Sequence, residues 1–195
     1  MKGSLRMARR SVAEERREQI LAATLKTIAE RGISGTTLDR IADTAGMSRG
    51  HVRHFIGNRE ALLVETAREF YKNETGELAI LPTSVSDLDG AVDYFFGEKF
   101  TASSADDAVA LGLVELSRST PEIADVLNGV YAATRVKLVG FIASEKRNAS
   151  VETCEWAAEG ILAAAMGNVF IGDFDRDSAH TMRAQKAVKA MLGTL

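Results

Sequence analysis

Residues Thr36 to Phe55 read TTLDRIADTAGMSRGHVRHF, two short helical patterns parted by a glycine. Thr36 or Thr37 can cap the first, Leu38 to Ala45, in which Leu38, Ile41, Ala42 and Ala45 share one face. Gly46 breaks the pattern, and Ser48 can cap a second helix that runs through His54 or Phe55. A helix-turn-helix needs a small residue where its helices approach, a residue tolerant of positive φ in the turn, and an apolar anchor beneath the second helix. Ala42, Gly46 and Val52 stand at those three places.

Working outward, Ser11 to Glu14 has capping-box spacing, Ile20, Leu21, Leu25 and Ile28 mark one face, and Gly32 supplies a stop. A first helix is expected from about Val12 to Arg31, behind a basic N-terminal arm. Asn58 caps a longer helix carrying Leu62, Leu63, Ala67 and Phe70, which should fade before Pro82. Further helical patterns cover 87–100, 105–117, 123–146 after the punctuation of Pro121, 151–171 and 177–192. The expectation is an all-α fold of about nine helices. Residues 1–57 would form the arm and a three-helix helix-turn-helix domain, and residues 58–195 a helical effector-binding and dimerisation domain.

Composition agrees with a helical chain. Of 195 residues, 46% are hydrophobic but only 6% aromatic, with 2 prolines. Such a length buries roughly 70% of the unfolded surface and needs no disulfide or metal staple. The lone Cys154 excludes an internal disulfide and suits a reducing compartment. The first thirty residues show no apolar signal core, and no run approaches the ~18 continuous apolar residues of a membrane span, so a cytoplasmic protein is expected. Net charge is −3, yet residues 1–60 hold 12 Lys+Arg against 7 Asp+Glu, or +5, while residues 61–195 hold 12 against 20, or −8. A polyanion is drawn to one end and repelled by the other.

The solvent face of the second short helix is Ser48, Arg49, Gly50, His51, Arg53 and His54. Arg49 and His51 have the reach for base edges, and arginine on guanine O6 and N7 is the commonest specific contact. Thr37, Ser48, Arg53 and Arg59 suit phosphates, as does the helix N-terminus at Asn58, and Gly50 lets the helix sit close to a groove. His51 and His54 lack a Cys or carboxylate at matching spacing, so no metal is expected, and no cofactor. Enzyme chemistry has no support, because the chain lacks a glycine-rich phosphate loop, a G-x-S-x-G elbow and a metal-spaced His/Cys cluster.

From Gln19 to Leu63 the sequence resembles the DNA-binding region of TetR-type repressors. Where that family usually has Tyr in the recognition helix and Lys in the next helix's first turn, this chain has Arg53 and Arg59, and Phe55-Ile56 replaces an aromatic pair. The resemblance implies a homodimer on a near-palindromic double-stranded operator, with no membrane partner, released by a small, largely apolar effector held among the middle helices. Phe70, Tyr94, Phe96, Phe100, Tyr131, Arg135 and Trp156 are the candidate lining, Arg135 as a buried cation satisfied by a ligand or by Asp125 or Glu122. Small and apolar residues of the last two helices suit a four-helix dimer interface, with Ile161, Leu162, Met166, Val169, Val188 and Met191 as candidates. The competing reading is a DNA-binding protein with a filled core, constitutive or regulated by a protein partner; a cavity discriminates the two.

Overall fold

The computed structural model describes residues 12–101, 104–175, 177 and 179–195. The expected basic arm and the capping-box Ser11 lie outside the described residues. Among the described residues ten helices follow one another: α1 (Val12–Gly35), α2 (Leu38–Ala45), α3 (Arg49–Ile56), α4 (Arg59–Phe70), α5 (Leu88–Phe95), α6 (Glu98–Thr101), α7 (Ser104–Ser117), α8 (Pro121–Glu145), α9 (Val151–Gly172) and α10 (His180–Gly193). No strand is present among the described residues.

Two departures from the expected helices have local causes. α4 stops at Phe70 rather than nearer Pro82, because the Asn73 side chain accepts from the Thr75 and Glu77 backbone N–H groups at 3.0 Å each. That local bonding competes with the helical ladder, and Gly76 at φ 87° completes a turn closed by a bridge between Lys72 and Leu78. The single helix expected over 87–100 is two, because the chain leaves helical geometry at Phe96-Gly97; a Cβ on Gly97 would lie 2.4 Å from the Asp93 carbonyl oxygen. Gly32 does interrupt α1, at φ 65°, and one further turn leads to Gly35.

Three apolar clusters run along the molecule. The first joins Ile20 and Leu21 of α1 to Ile41, Ala42, Val52, Ile56 and Leu62. The second joins Ile28 and Ile33 to Leu63, Ala67, Leu113, Ile123 and Val130, and the third joins Phe95 and Leu138 to Ala158, Ile161, Leu162 and Val188. α1 and α4 therefore each contribute to both of the first two clusters, and no hinge of free chain separates the helix-turn-helix from the body. α8 is long and apolar enough to cross a membrane by length and composition. It carries Asp125, Arg135 and Lys137, however, and packs Ile123, Leu138 and Ile142 into the interior.

Buried threonines recur in these helices. Thr24, Thr66 and Thr134 are buried, and each donates its hydroxyl to the carbonyl four residues back in its own helix, on Ile20, Leu62 and Val130, at 2.8 Å. Each is thereby satisfied without a tertiary partner.

Candidate nucleic-acid interface and adjoining cavity

The helix-turn-helix is built by the residues its sequence singles out. Thr37 caps α2, its hydroxyl accepting from Arg40 N–H at 3.3 Å, and Gly46 takes the left-handed conformation at φ 63°. Met47 N–H then donates to the Ala42 carbonyl at 2.9 Å, and Ser48 caps α3 by accepting from His51 N–H at 3.2 Å. Val52 is wholly buried, an apolar burial that stabilises α3 on the domain by about 1.5–3 kcal/mol. Gln19 of α1 donates to the Ala45 carbonyl at 2.7 Å, satisfying the end of α2 from below.

With Val52 and Ile56 inward, Ser48, Arg49, Gly50, His51, Arg53 and His54 all face solvent, and Thr37 is exposed beside them. Nothing inside the protein requires a glycine at position 50, where a Cβ would meet only the Ser48 hydroxyl oxygen at 3.8 Å. Arg49 lies 3.1 Å from the Asp39 carboxylate of α2, both side chains more than half exposed.

Arg59 is placed differently from its neighbours. Its Nε donates to the Thr36 carbonyl at 2.7 Å and one terminal nitrogen to the Ile33 carbonyl at 2.9 Å, so most of its fork joins α4 to the corner between α1 and α2. Asn58 caps α4, accepting from Ala61 N–H at 2.8 Å. Sequence reasoning passed over Arg17, which bonds the Phe55 carbonyl at 3.4 Å and pairs with Glu65, tying α1 to α3 and α4. Lying a full helix away in sequence, it had no local signal.

Residues 20–66 match the profile of bacterial regulatory proteins of the tetR family. The likeness in sequence to the tetR family is thus confined to the helix-turn-helix domain. The HTH-type transcriptional regulator BetI of Burkholderia thailandensis is 40% identical over 67 residues, 34% of this chain and 34% of that protein; the BetI of Paraburkholderia phymatum matches to the same extent. The match thus spans about a third of those relatives. The TetR-like fold extends much further. A transcriptional regulator from Rhodococcus sp. Rha1 superposes with a TM-score of 0.71 at 16% identity, covering 91% of this chain and 94% of that one. A TetR transcriptional regulator from Agrobacterium tumefaciens gives 0.66 at 18% identity, covering 92% and 94%.

Beside this TetR-like head lies a cavity of about 690 Å³. Of the residues expected to line it, Phe70, Tyr94, Phe100 and Tyr131 do. Phe96 instead packs into the third cluster, and Trp156 stands on the surface, 67% exposed. Arg135 is not buried and needs neither a ligand nor Asp125 or Glu122, since its Nε donates to Glu159 at 2.6 Å on the surface. Met166 and Val169, expected at a dimer interface, line the cavity, and the Tyr131 hydroxyl lies 3.0 Å from the Met166 sulfur. Unforeseen members are Glu18, Ala22 and Leu25 of α1 and Asp106, Asp107 and Ala110 of α7. Burial raises the Tyr131 phenol above its ordinary value, and burial followed by Asp106 and Glu74 raises that of Tyr94. Both hydroxyls stay neutral hydrogen-bonding groups.

The remaining interface candidates divide. Ile161, Leu162 and Val188 belong to the interior of a single chain, at 0%, 3% and 3% exposure, while Met191 is half-buried against the same cluster. The outer side of α9 instead presents Trp156, Ala163 and Phe170 at seven-residue spacing, followed by Phe174, whose ring meets that of Phe170 edge-on at 5.6 Å.

Proposed function

We propose that this chain is a dimeric DNA-binding transcriptional repressor whose hold on its operator is loosened by a small molecule in the cavity beneath α1. The observation that carries the reading is the exposed face of α3, where Arg49, His51, Arg53 and His54 project from a helix pinned by the buried Val52. That is the arrangement by which a recognition helix enters the major groove. Arg49 and His51 read base edges, Thr37, Ser48 and Arg53 hold phosphates, and the absent side chain at Gly50 brings the helix backbone close to the groove. Arg59 is a positioning residue that keeps α4 in register with α2, with its remaining nitrogen for a phosphate.

The cavity supports a ligand-responsive protein over one with a filled core. Its wall includes α1, a helix of the head, and α7, so an occupant touches both bodies at once. A few residues along α7 from Asp107 and Ala110, a Cβ on Gly112 would lie 2.8 Å from Ile33 Cγ1, so the α7 backbone abuts the end of α1. The Ile33 carbonyl is held by Arg59. A ligand that shifts α7 therefore shifts the corner from which α2 begins, and the coupling is mutual: operator DNA disfavours the ligand as much as the ligand disfavours DNA.

Two copies joined through the Trp156–Phe174 side of α9 would set two α3 helices on one face of the duplex, about one turn, roughly 34–36 Å, apart or somewhat more, over inverted half-sites. The test is selection of bound duplexes from random-sequence DNA, followed by titration of variants. Arg49→Ala should relax preference at one position per half-site at a cost of about 1–3 kcal/mol. Arg53→Ala should weaken all sequences alike and flatten the slope of log K against log salt by about one unit. Wild-type affinity and salt slope in both variants would overturn the assignment.

A further inference from the structure

We propose that Asp39 is a specificity-determining positioning residue for DNA: its carboxylate holds the Arg49 guanidinium for a base edge and keeps it off the phosphates. This rests on the reading of Arg49 as a base contact and adds the group that fixes that contact in place. Asp39 stands in the first turn of α2 and Arg49 opens α3, so the pair spans the turn of the helix-turn-helix. Arg49 spends a single nitrogen on it, Nη1 donating to Oδ1 at 3.3 Å and to Oδ2 at 3.1 Å. Its Nε and Nη2 have no partner among the described residues. A fork-to-fork pair would occupy two nitrogens of the guanidinium. This one leaves open the edge formed by Nε and Nη2, whose parallel N–H groups can meet guanine O6 and N7 together.

Asp39 puts an exposed negative charge beside a residue assigned to DNA. The neighbouring cation of α2 does not neutralise it, because Arg40 donates Nη1 to the Gly35 carbonyl at 2.8 Å. An exposed pair such as Asp39 and Arg49 adds little to folding stability, so the fold alone is a weak reason for it. Against a duplex it acts in two ways. An arginine left free there takes phosphates readily, since half or more of protein–DNA hydrogen bonds go to the backbone. A carboxylate at its side repels phosphate oxygens while attracting the guanidinium, which disfavours that alternative on DNA of any sequence. It also restrains a long side chain before binding, so less rotamer freedom is lost when a guanine is met. The net effect is weaker binding overall and sharper discrimination at one base pair.

The test is competition, on the full chain, between the selected operator, duplexes altered at one position of each half-site, and a duplex of unrelated sequence. Asp39→Asn should lower discrimination by about tenfold at the position that Arg49→Ala relaxes, and leave the other positions as they are. It should bind the unrelated duplex roughly threefold or more tightly, with a slope of log K against log salt steeper by about one unit per subunit, because Arg49 is released to a phosphate. Asp39→Ala should behave alike, which excludes the new amide as a base contact in its own right. Added to Arg49→Ala, Asp39→Asn should change discrimination no further. Each ratio compares two duplexes on one protein, so any loss of folded chain cancels. Three results would each overturn the proposal: unaltered discrimination, relaxation at a position that Arg49→Ala leaves intact, or uniform weakening on every duplex, as expected of an acid that serves only the α2 helix dipole. The outcomes also separate the two readings. If Arg49→Ala relaxes one position and Asp39→Asn leaves it untouched, the positioning role fails and the base contact stands. If Arg49→Ala relaxes none, the base contact itself fails and Asp39 has nothing to position.

Discussion

Gly112→Ala probes the contact between body and head at its tightest point. The added Cβ would lie 2.8 Å from Cγ1 and 3.1 Å from Cδ1 of Ile33, and 3.4 Å from Cγ2 of Ile28. Comfortable carbon–carbon contact begins near 3.5 Å, so Ile33 must retreat by about 0.7 Å. It is only 7% exposed, within a packed cluster, and overpacking of this kind costs about 1–3 kcal/mol. Replacing a mid-helix glycine by alanine returns up to about 1 kcal/mol, so the single variant should lose between about 0 and 2 kcal/mol. The diagnostic background is Ile33→Ala, which removes both atoms that the new methyl strikes. There Gly112→Ala should turn stabilising by about 0.5–1 kcal/mol, giving a coupling energy of roughly 1–3 kcal/mol between the sites in urea denaturation. Under the proposed function, Gly112→Ala should also lower operator affinity with no ligand present, and Ile33→Ala should reduce that effect. If Gly112→Ala changes stability equally in both backgrounds, to within about 0.5 kcal/mol, the contact is not the one described.

Other outcomes follow from single sites. Arg59→Ala removes charge-assisted donors from two carbonyls and should cost about 1.5–3 kcal/mol of stability, against about 0–0.5 for the exposed Arg53→Ala, in parallel denaturation curves. The Asp107 carboxyl is raised from 3.8 to about 6, so the folded state binds its proton more tightly than the unfolded one. Its penalty on the fold is absent below about pH 4, grows as pH rises through the window between those values and is full above about 6; Asp107→Asn should stabilise the protein by up to about 1 kcal/mol at pH 7.5, after allowance for solvent screening, and by almost nothing at pH 3.5. Phe170→Glu, on the exposed side of α9, should raise the monomer fraction in sedimentation while leaving the melting temperature of the chain largely intact. A charge at Leu162 should instead unfold it.

The sequence made the head legible because each part of it is local. Ala42, Gly46 and Val52 carry their reasons within one turn of chain, and Thr37, Ser48 and Asn58 each cap the helix they precede. The body was less legible for a physical reason. α9 is apolar around most of its circumference, so periodicity cannot say that Leu162 faces inward while Ala163 and Phe170 face out. Asn73 ended a helix through a side-chain turn, and Gly97 allowed a break in backbone geometry where no Cβ would fit; an apolar repeat registers neither. The cavity was least legible, since a helix of the head supplies part of its wall and no spacing along the chain records that α1 lies against α7.

The buried threonines bear on how such a molecule could move. Because Thr24, Thr66 and Thr134 spend their hydroxyls on their own helices, these positions put no hydrogen bond across the faces where α1, α4 and α8 meet their neighbours. A small slide of one helix past another exchanges van der Waals contacts there but strands no buried donor, the event that would cost about 1–3 kcal/mol per group. These three threonines act like dry bearings: they fill space between helices and leave the direction of shear free.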